Sequence, residues 1–186
     1  MKILMQCNYD PRTFGGIEMV TKNLLDVLSL RDFSIEVIAG TYHDEIQQRD
    51  NYRFFGLKIL CKIQGAVVLR RGNLRFLRAG LRADLIVFQE PFPTLLPALI
   101  LLRFLFRKRV VVLVHAIPHM PVTLAVPYAW FRRTLLARVP VVATTPVLLA
   151  QLELPKNSPY SRDIIPLCLS DESIDLKPEP IACRYA

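Results

Sequence analysis

Glycine and cysteine are scarce in this sequence. Seven of its 186 residues are glycine and 52% are hydrophobic, which excludes a collagen-like, low-complexity or disordered chain. The four cysteines form no C-x-x-C pair and lack the density of a disulfide scaffold, so we expect reduced thiols and an intracellular protein. Length and apolar content favour one compact domain. The cysteines are Cys7, Cys61, Cys168 and Cys183.

A long uninterrupted hydrophobic run is also missing. The best candidate for a membrane span, residues 93–106, contains Arg103 and two prolines, and it is shorter than the ~20 apolar residues that cross a bilayer. It therefore predicts a buried helix. The apolar start, residues 1–5, ends at polar Gln6 and is too short for a secretory signal. These observations predict a cytoplasmic chain, peripheral on the inner face of the membrane.

Several common catalytic signatures are absent. The sequence has no G-x-S-x-G elbow, no G-x-x-x-x-G-K-[ST] loop and no G-x-G-x-x-G fingerprint, which argues against hydrolases, P-loop nucleotidases and dinucleotide enzymes. His115 and His119 have the spacing of a zinc pair on a helix, but Pro118 disfavours a helix there and no third ligand stands out. We therefore predict no metal and no other cofactor.

Positive charge is concentrated in the middle of the chain. Residues 53–152 contain fifteen Lys and Arg against two acids, whereas the whole chain carries +8. Such a region attracts anionic lipid or nucleic acid, or is a solvated face without a partner. Its arginines alternate with large apolar residues and RNA-binding motifs are missing, so we predict an anionic membrane surface as partner and no nucleic acid. The predicted membrane contacts are Arg75, Arg78, Arg82, Arg103 and Arg107.

Apolar runs rich in β-branched residues alternate with helix-like segments along the chain. The alternation predicts an α/β fold, a Rossmann-like doubly wound parallel sheet of about seven strands with helices on both faces. Residues 40–65 are the least regular. The predicted strands are Ile3–Cys7, Ser34–Ala39, Ala66–Leu69, Leu85–Phe88, Val110–Val114, Val139–Ala143 and Ile164–Leu167. The predicted helices are Ile17–Leu30, Leu74–Leu81, Leu95–Phe106, Ala125–Ala137 and Val147–Leu152.

Ligands of such sheets bind beyond the carboxyl ends of the strands, so the loops there are candidate sites. Gly15 and Gly16 join the first strand to its helix, where bare amides at a positive helix N-terminus can hold a phosphate; a tight packing turn is the alternative. His115 ends a central strand and can be a donor to a sugar or phosphate, a general acid or base, or a structural histidine. The loops to inspect are residues 8–16, 89–93, 115–121 and 144–146.

Five motifs occur in a recognisable order. Together they resemble the N-terminal half of a retaining GT-B glycosyltransferase of the family 4 type, over about residues 1–174. The motifs are Y-x-P-x-x-x-G-G-I-E from Tyr9, A-D-L-I-V-F-Q-E-P-F-P from Ala83, V-V-V-L-V-H from Val110, V-V-A-T-T-P-x-L-L from Val141 and I-I-P-L from Ile164.

The resemblance implies roles for the residues of this edge. In that family the first Rossmann-like domain chiefly holds the acceptor, the glycine loop lies against the donor phosphates, and a histidine contacts the donor sugar near the reaction centre. Gly15 and Gly16 are thus the predicted donor-binding residues and His115 the predicted catalytic residue. The predicted acceptor-binding residues are Asp10, Glu90 and Thr145. Retention is usually described as front-side displacement, which requires no protein nucleophile.

The sequence departs from the family pattern near its end. The last motif reads P-L-C-L-S-D over residues 166–171, without the glycine of P-x-G-[IV]-D, and no counterpart of the second domain follows. Residues 1–176 are expected to form the N-terminal domain and residues 177–186 a tail or the start of a linker. We expect a chain that lacks its C-terminal donor domain and is inactive alone.

The resemblance predicts part of a hexosyltransferase-type enzyme. It would transfer a sugar from a nucleotide-sugar donor to a lipid-linked or polysaccharide acceptor with retention, in the synthesis of surface polysaccharide or lipopolysaccharide. The alternative is a non-catalytic module that binds a membrane or a partner and lacks the donor domain.

Overall fold

A sheet of nine strands, most of them parallel, forms the centre of the described part of the chain. The computed structural model describes residues 1–13, 15–49, 52–63, 66–90, 93–115, 130, 133–152 and 162–164. The strands are β1 Lys2–Tyr9, β2 Ser34–Thr41, β3 Glu45–Gln48, β4 Arg53–Ile63, β5 Ala66–Leu69, β6 Leu85–Glu90, β7 Arg109–Val114, β8 Val141–Ala143 and β9 Arg162–Ile164. Their order is β3-β4-β2-β1-β6-β7-β8-β9, and β5 pairs with β4.

Helices cover both faces of this sheet. On one face, Leu25 packs with Ile3, Met5 and Val37 of the strands. On the other face, a larger cluster joins Phe76 and its helical neighbours to β1 and β6. The helices are α1 Gly16–Ser29, α2 Gly72–Arg82, α3 Leu96–Ile100 and α4 Pro146–Gln151, with a 3-10 turn Pro93–Leu95 before α3, a π-helical turn Leu101–Leu105 after it, and helical residues 133–136. The predicted Rossmann-like α/β class is confirmed.

The central strands have the continuous apolar sequences that are typical of a parallel sheet covered on both faces. Strands covered on both sides carry near-continuous apolar runs, and β1, β2, β6 and β7 have them. Seven of the described strands pair in parallel: β4, β2, β1, β6, β7, β8 and β9. The predicted number was therefore correct, but one of the predicted parallel strands was wrong, because β5 is antiparallel to its partner β4.

Residues 40–65, which the sequence pattern marked as the least regular, contain two strands that were not predicted. Most of this segment forms β3 and β4, which pair antiparallel, while β4 pairs in parallel with β2 on its other side. Phe54 and Phe55 of β4 are both buried although they face opposite sides of the sheet. The exposed and charged residues of β3 and of the outer half of β4 conceal this strand in the hydropathy pattern.

Close packing of α2 explains one glycine. A Cβ atom on Gly80 would overlap the side chain of Leu102, which is fully buried in the π-helical turn. The turn includes a backbone hydrogen bond from Phe106 N to Leu101 O, which spans five residues instead of four. The predicted single helix Leu95–Phe106 is thus divided into 3-10, α and π turns, with Leu99 and Leu102 buried as expected.

Several predictions fall partly outside the described residues. Of the predicted helix Ala125–Ala137, the structure describes Trp130 and residues 133–137, and residues 133–136 are helical. The last predicted strand, Ile164–Leu167, begins earlier than expected, as Arg162–Ile164, and residues 165–167 are not described. Residues 165–186, which contain the last motif's turn and the expected tail, also lie outside the described residues.

Candidate functional site

The carboxyl ends of β1, β6 and β7 lie side by side in the sheet, and buried polar side chains collect there. Gln6 and Asn8 belong to β1, Gln89 belongs to β6, and His115 directly follows β7. These four residues carry all of the buried side-chain nitrogen and oxygen atoms that lack a hydrogen-bond partner in the described part of the chain. The atoms are Gln6 Nε2, Asn8 Oδ1, Gln89 Oε1 and both ring nitrogens of His115.

Such atoms are costly and usually rare. A buried polar atom without a partner destabilises the folded state by about 1–3 kcal/mol, so native proteins leave few of them. Within the described residues these atoms are concentrated at one edge of the sheet, which makes this edge the candidate site.

A hydrogen bond links Gln6 of β1 to Gln89 of β6, where the backbone pairing of the two strands ends. The regular pairing of these strands ends at Gln6 and Phe88, and β1 is irregular between Gln6 and Tyr9. Gln6 Oε1 then accepts a hydrogen bond from the backbone nitrogen of Gln89 at 3.0 Å. Gln89 Nε2 in turn donates to Thr21 Oγ1 of α1 at 2.6 Å. The network connects two strands and the helix that covers them.

His115 is neutral at physiological pH. Burial lowers the pKa of His115 to about 4, because the surroundings disfavour the charged imidazolium. A neutral imidazole has one N–H donor and one acceptor nitrogen, and neither nitrogen has a partner among the described residues. His115 can therefore both donate to and accept from an uncharged group such as a hydroxyl.

The two glycines before α1 differ in what surrounds them. A Cβ atom on Gly15 would overlap the carboxylate of Glu18, which folds back over this position. Gly15 has φ 174°, an extended backbone that any residue adopts. A Cβ atom on Gly16 would meet no atom within 4 Å. Backbone strain therefore explains neither glycine, and no side chain of the described residues caps the first turn of α1.

Asp10 lies in the same loop and is engaged by two arginines. Its carboxylate accepts bonds from Arg49 Nη1 and Nη2 at 2.9 and 2.8 Å, and from Arg12 Nη2 at 2.9 Å. Burial alone would raise the pKa of Asp10, but the hydrogen bonds from Arg49 and Arg12 outweigh it and lower that pKa to about 2. The Arg12 side chain is 58% exposed, whereas that of Arg49 is 10% exposed. Asp10 thus holds an exposed guanidinium beside the loop.

The sequence was compared with models of known protein families, and the result agrees with this α/β architecture. Residues 14–154 match the sequence profile of Glycosyltransferase Family 4, which covers most of the chain. The chain belongs to glycosyltransferase family 4. A search of curated proteins found no match. The family 4 domain is therefore a glycosyltransferase domain, and the predicted family is confirmed.

The remaining predicted acceptor contacts of the family 4 domain lie at or just after the ends of two strands, at the same edge of the sheet. Glu90 ends β6, and the structure does not describe its side chain. Thr145 precedes α4, is exposed, and accepts a hydrogen bond from Leu149 N through its backbone carbonyl. Both stand at the carboxyl edge with His115, and their contact with an acceptor stays a prediction.

The predicted membrane arginines of the family 4 domain fall into two groups. Arg75, Arg78 and Arg82 lie along α2 and line grooves between this helix and the β3–β4 pair. Arg103 instead donates to the backbone carbonyl of Arg138 at 3.1 Å, beside the π-helical turn. Arg107 follows that turn with a left-handed φ of 52°. In the described residues, no helix is long and apolar enough to span a bilayer.

The loops predicted as candidate sites begin at Asn8 and Gln89, but the sequence analysis assigned no role to these two residues of the family 4 domain or to Gln6. Each is an uncharged polar residue at the end of an otherwise apolar strand, and this interruption was the available signal. Cys7 lies between Gln6 and Asn8 and is buried; burial raises the pKa of its thiol, so the thiol stays protonated. His119 lies outside the described residues, and within them no three His, Cys, Asp or Glu side chains come together as metal ligands.

Proposed function

We propose that this domain is the acceptor-side half of a retaining enzyme that transfers a hexose from a nucleotide sugar to a lipid-linked or saccharide acceptor. The observation that supports it is the group of buried polar atoms without a partner among the described residues, at the carboxyl ends of β1, β6 and β7. Ligands of doubly wound sheets bind at this edge. Family membership supplies the reaction class, and the neutral chemistry of these side chains suits sugar hydroxyl groups.

The donor diphosphate is proposed to lie against Gly16. The open space above Gly16 lets a phosphate approach the first turn of α1, where the backbone N–H groups and the helix dipole favour negative charge. The Glu18 carboxylate fills the space beside Gly15, whereas the space beside Gly16 is open. Gly16 is therefore the position where a side chain would obstruct the ligand directly. The C-terminal donor domain of the family is the proposed source of the other donor contacts.

His115 is proposed to donate its N–H to a hydroxyl of the donor sugar. As the bond to the leaving diphosphate breaks, charge develops on the sugar and the phosphate, and hydrogen bonds that strengthen at that stage lower the barrier. Because His115 is neutral, it can make this contact without bringing a positive charge to a cationic sugar centre. Front-side displacement then needs no protein nucleophile.

We propose that the acceptor binds at the edge of the sheet that carries Asp10, Glu90 and Thr145. Both oxygens of Asp10 already accept bonds from arginines, so its proposed role is to orient Arg12 toward an anionic acceptor group. A guanidinium held by a carboxylate loses less conformational freedom on binding than a free one. Glu90 and Thr145 are proposed to accept hydrogen bonds from acceptor hydroxyls.

A lipid-linked acceptor requires access to a membrane, and we propose that α2 provides it. A groove of about 360 Å³ beside α2 is lined by four arginines, two acidic residues and the exposed Leu74, so positive charge is in excess there. The charged residues are Arg70, Arg71, Arg75, Arg78, Asp44 and Glu45. Basic side chains attract anionic headgroups while apolar neighbours enter the interface. Synthesis of a surface polysaccharide or lipopolysaccharide is the proposed setting, by family alone.

A transfer assay tests the function. The chain is incubated with radiolabelled nucleotide hexoses and a membrane lipid extract, both alone and within the natural polypeptide that contains residues 1–186. We expect labelled lipid or saccharide only from a polypeptide that carries a donor domain, and retention is read from the anomeric configuration of the product by NMR. Hydrolysis or transfer with inverted configuration would contradict the proposed reaction.

A further inference from the structure

Three arginines of α2 lie on one side of that helix. Arg75, Arg78 and Arg82 are three and four residues apart, so their side chains leave the helix on the same side. Ala79 lies between them on that side and adds only a methyl group. All four residues line a groove of about 280 Å³ between α2 and the strands β2, β3 and β4, which we call the α2–β4 groove. It adjoins the groove that Leu74 lines and shares Arg75 and Arg78 with it.

The strands supply the other wall of the α2–β4 groove. Glu36 of β2 is in register with Arg53 of β4. Two residues further along, Ile38 of β2 and Ile46 of β3 are both in register with Phe55 of β4. Residues two apart in a strand share a face of the sheet, and so do neighbours in register, so these five side chains lie on one face. The groove therefore has an apolar floor, with Arg53 across from the arginines of α2.

Phe55 holds two of the guanidinium groups near each other. The Cζ atoms of Arg53 and Arg75 each lie 4.9 Å from the centroid of the Phe55 ring, so they are within about 10 Å of one another. A guanidinium over an aromatic ring is attracted by the ring, while the N–H groups at its edge stay available as donors. The ring thus positions one cation of the strand wall and one of the helix wall.

Positive charge in the α2–β4 groove is not balanced by the protein. Its charged lining residues are Arg53, Arg75, Arg78, Arg82 and Glu36. None of them forms an ion pair with another residue that the structure describes, whereas Arg70, in the adjoining groove, lies 3.6 Å from Asp44. Like charges that converge destabilise the folded state, and a bound anion removes this cost. Arginine forks match the oxygen atoms of a phosphate group in two-point contacts.

We propose that the α2–β4 groove binds the phosphate group of a phosphate ester between Arg53 and the arginines of α2. The inference goes beyond the proposed glycosyl transfer, because Glu36 and Arg53 lie near the amino ends of their strands and the candidate site lies at the carboxyl edge. The apolar floor suits the carbon part of the ester. Such an ester is either the headgroup of an anionic membrane lipid or a soluble compound, so vesicles and soluble phosphates are separate arms of the test.

The first measurement is an NMR titration of the ¹⁵N-labelled chain with inorganic phosphate and with glycerol 3-phosphate. The side-chain Nε–Hε signals of Arg53, Arg75 and Arg31 are followed. We expect the signals of Arg53 and Arg75 to shift and saturate, while that of the exposed Arg31 does not move. Sodium chloride at equal ionic strength is the control, because it screens charge without two-point contacts. Equal shifts with chloride would overturn the site.

The variant test uses Arg53→Gln and Arg78→Gln, with Arg31→Gln as the control of equal charge. We expect each groove variant to weaken phosphate binding roughly 10-fold, as for the loss of one hydrogen bond between charged groups. Arg53→Lys keeps the charge but loses the fork, so its affinity should be intermediate. Arg78 makes no hydrogen bond or ion pair with a described residue, so Arg78→Gln should melt as the wild type does and tests the site even if Arg53→Gln is unstable.

A vesicle assay identifies the source of the phosphate. The chain is sedimented with vesicles of phosphatidylcholine, with or without phosphatidylglycerol. Binding that requires phosphatidylglycerol and is lost in Arg53→Gln assigns a lipid headgroup. Phosphate shifts without such binding assign a soluble ester.

Two further results would overturn the α2–β4 groove as a phosphate site. One is unchanged phosphate affinity in folded Arg53→Gln and Arg78→Gln. The other is an equal loss of affinity in Arg31→Gln. Phosphate shifts without any glycosyl transfer would contradict the proposed function alone, whereas transfer without phosphate shifts would contradict only the groove.

Discussion

The guanidinium of Arg49 and the carboxylate of Asp10 form a two-point hydrogen-bonded ion pair, at 2.9 and 2.8 Å, across 39 residues of sequence. Arg49 also lies 3.7 Å above the ring of Phe54 and donates to Tyr52 Oη at 2.9 Å. Although burial works against its charge, the hydrogen bonds to Asp10 and Tyr52 raise the pKa of Arg49. The pair fastens the loop between β1 and α1 to the hairpin of β3 and β4.

Breaking this pair should destabilise the fold. Asp10→Asn removes the charge that compensates Arg49, and the loss of one partner of a buried pair costs roughly 3–5 kcal/mol. Since Arg49 keeps some access to solvent, we expect about 2–3 kcal/mol from urea unfolding. Asp26→Asn, at an exposed carboxylate of α1, is the control and should stay within about 0.5 kcal/mol. An equal, small effect of both substitutions would contradict a structural role for the pair.

Stability should depend on pH in two steps. His115 binds its proton more weakly in the folded state, with pKa about 4 instead of 6.5, so the unfolded state takes up the proton first. The contribution of His115 to the free energy of unfolding is fully present above pH 6.5. It falls by about 2 kcal/mol between pH 6.5 and 4.5. Asp10, with its pKa lowered from 3.8 to about 2, adds a second loss between about pH 4 and 2.

The first step is assigned by substitution. His115→Gln should flatten the dependence of unfolding free energy on pH between 6.5 and 4.5, measured in urea at constant ionic strength. A slope equal to that of the wild type would show that another group titrates there.

His115→Ala should impair turnover more than folding. In a polypeptide that carries both this domain and a donor domain, we expect kcat/KM to fall roughly 10- to 1000-fold, which corresponds to about 1–4 kcal/mol for one well-placed donor. His119→Ala, which has no counterpart in the family motif, should cost much less. If His115→Ala melts far below the wild type while its folded fraction keeps normal turnover, the histidine is structural.

Gly16 and Gly80 should separate binding from stability. Gly16→Val faces open space, so we expect a Tm close to that of the wild type but weaker binding of the donor, measured by calorimetry with nucleotide sugar. Gly80→Ala forces a methyl group against Leu102 and should cost about 1–3 kcal/mol of stability with unchanged donor affinity. A large loss of stability in Gly16→Val would favour a packing role for that glycine.

Anionic vesicles should bind the domain in a salt-dependent manner through α2. Replacement of Arg75, Arg78 and Arg82 by Gln should weaken binding to vesicles with 30% phosphatidylglycerol by about 1 kcal/mol per charge, as read by sedimentation. A control double replacement of Lys22 and Arg31, which line none of the grooves beside α2, should weaken binding less for each charge removed. Equal binding to neutral vesicles would leave α2 as a solvated basic face.

The sequence was most informative where local and global preferences agree. The apolar strands β1, β2, β6 and β7 were predicted within a few residues, because burial on both faces demands continuous apolar runs. It failed for β4, whose lysine, arginine and glycine residues belong to a strand paired differently along its two halves. Pairing partners and strand direction depend on distant residues, which no local pattern records.

The residues of the candidate site also fall into those that the sequence predicted and those that depend on tertiary contacts. His115 was found because it ends a hydrophobic strand within a family motif, whereas Gln6 and Gln89 acquire their meaning only when β1 and β6 become neighbours. Whether a glutamine side chain has a hydrogen-bond partner depends on its neighbours in the fold, so the sequence alone does not show it. The Arg49 contact of Asp10 was likewise invisible, since it depends on the β3–β4 hairpin.

The β3 strand also bears on how copies of this protein behave in crowded solution. A parallel sheet that ended in a long apolar strand would offer a row of free backbone groups to other chains. Here the strand at the edge, beside β4, is β3, whose four residues E-I-Q-Q carry charged and amide side chains. So short and polar an edge is a poor template for another strand, and β3 therefore protects this side of the molecule from edge-to-edge aggregation.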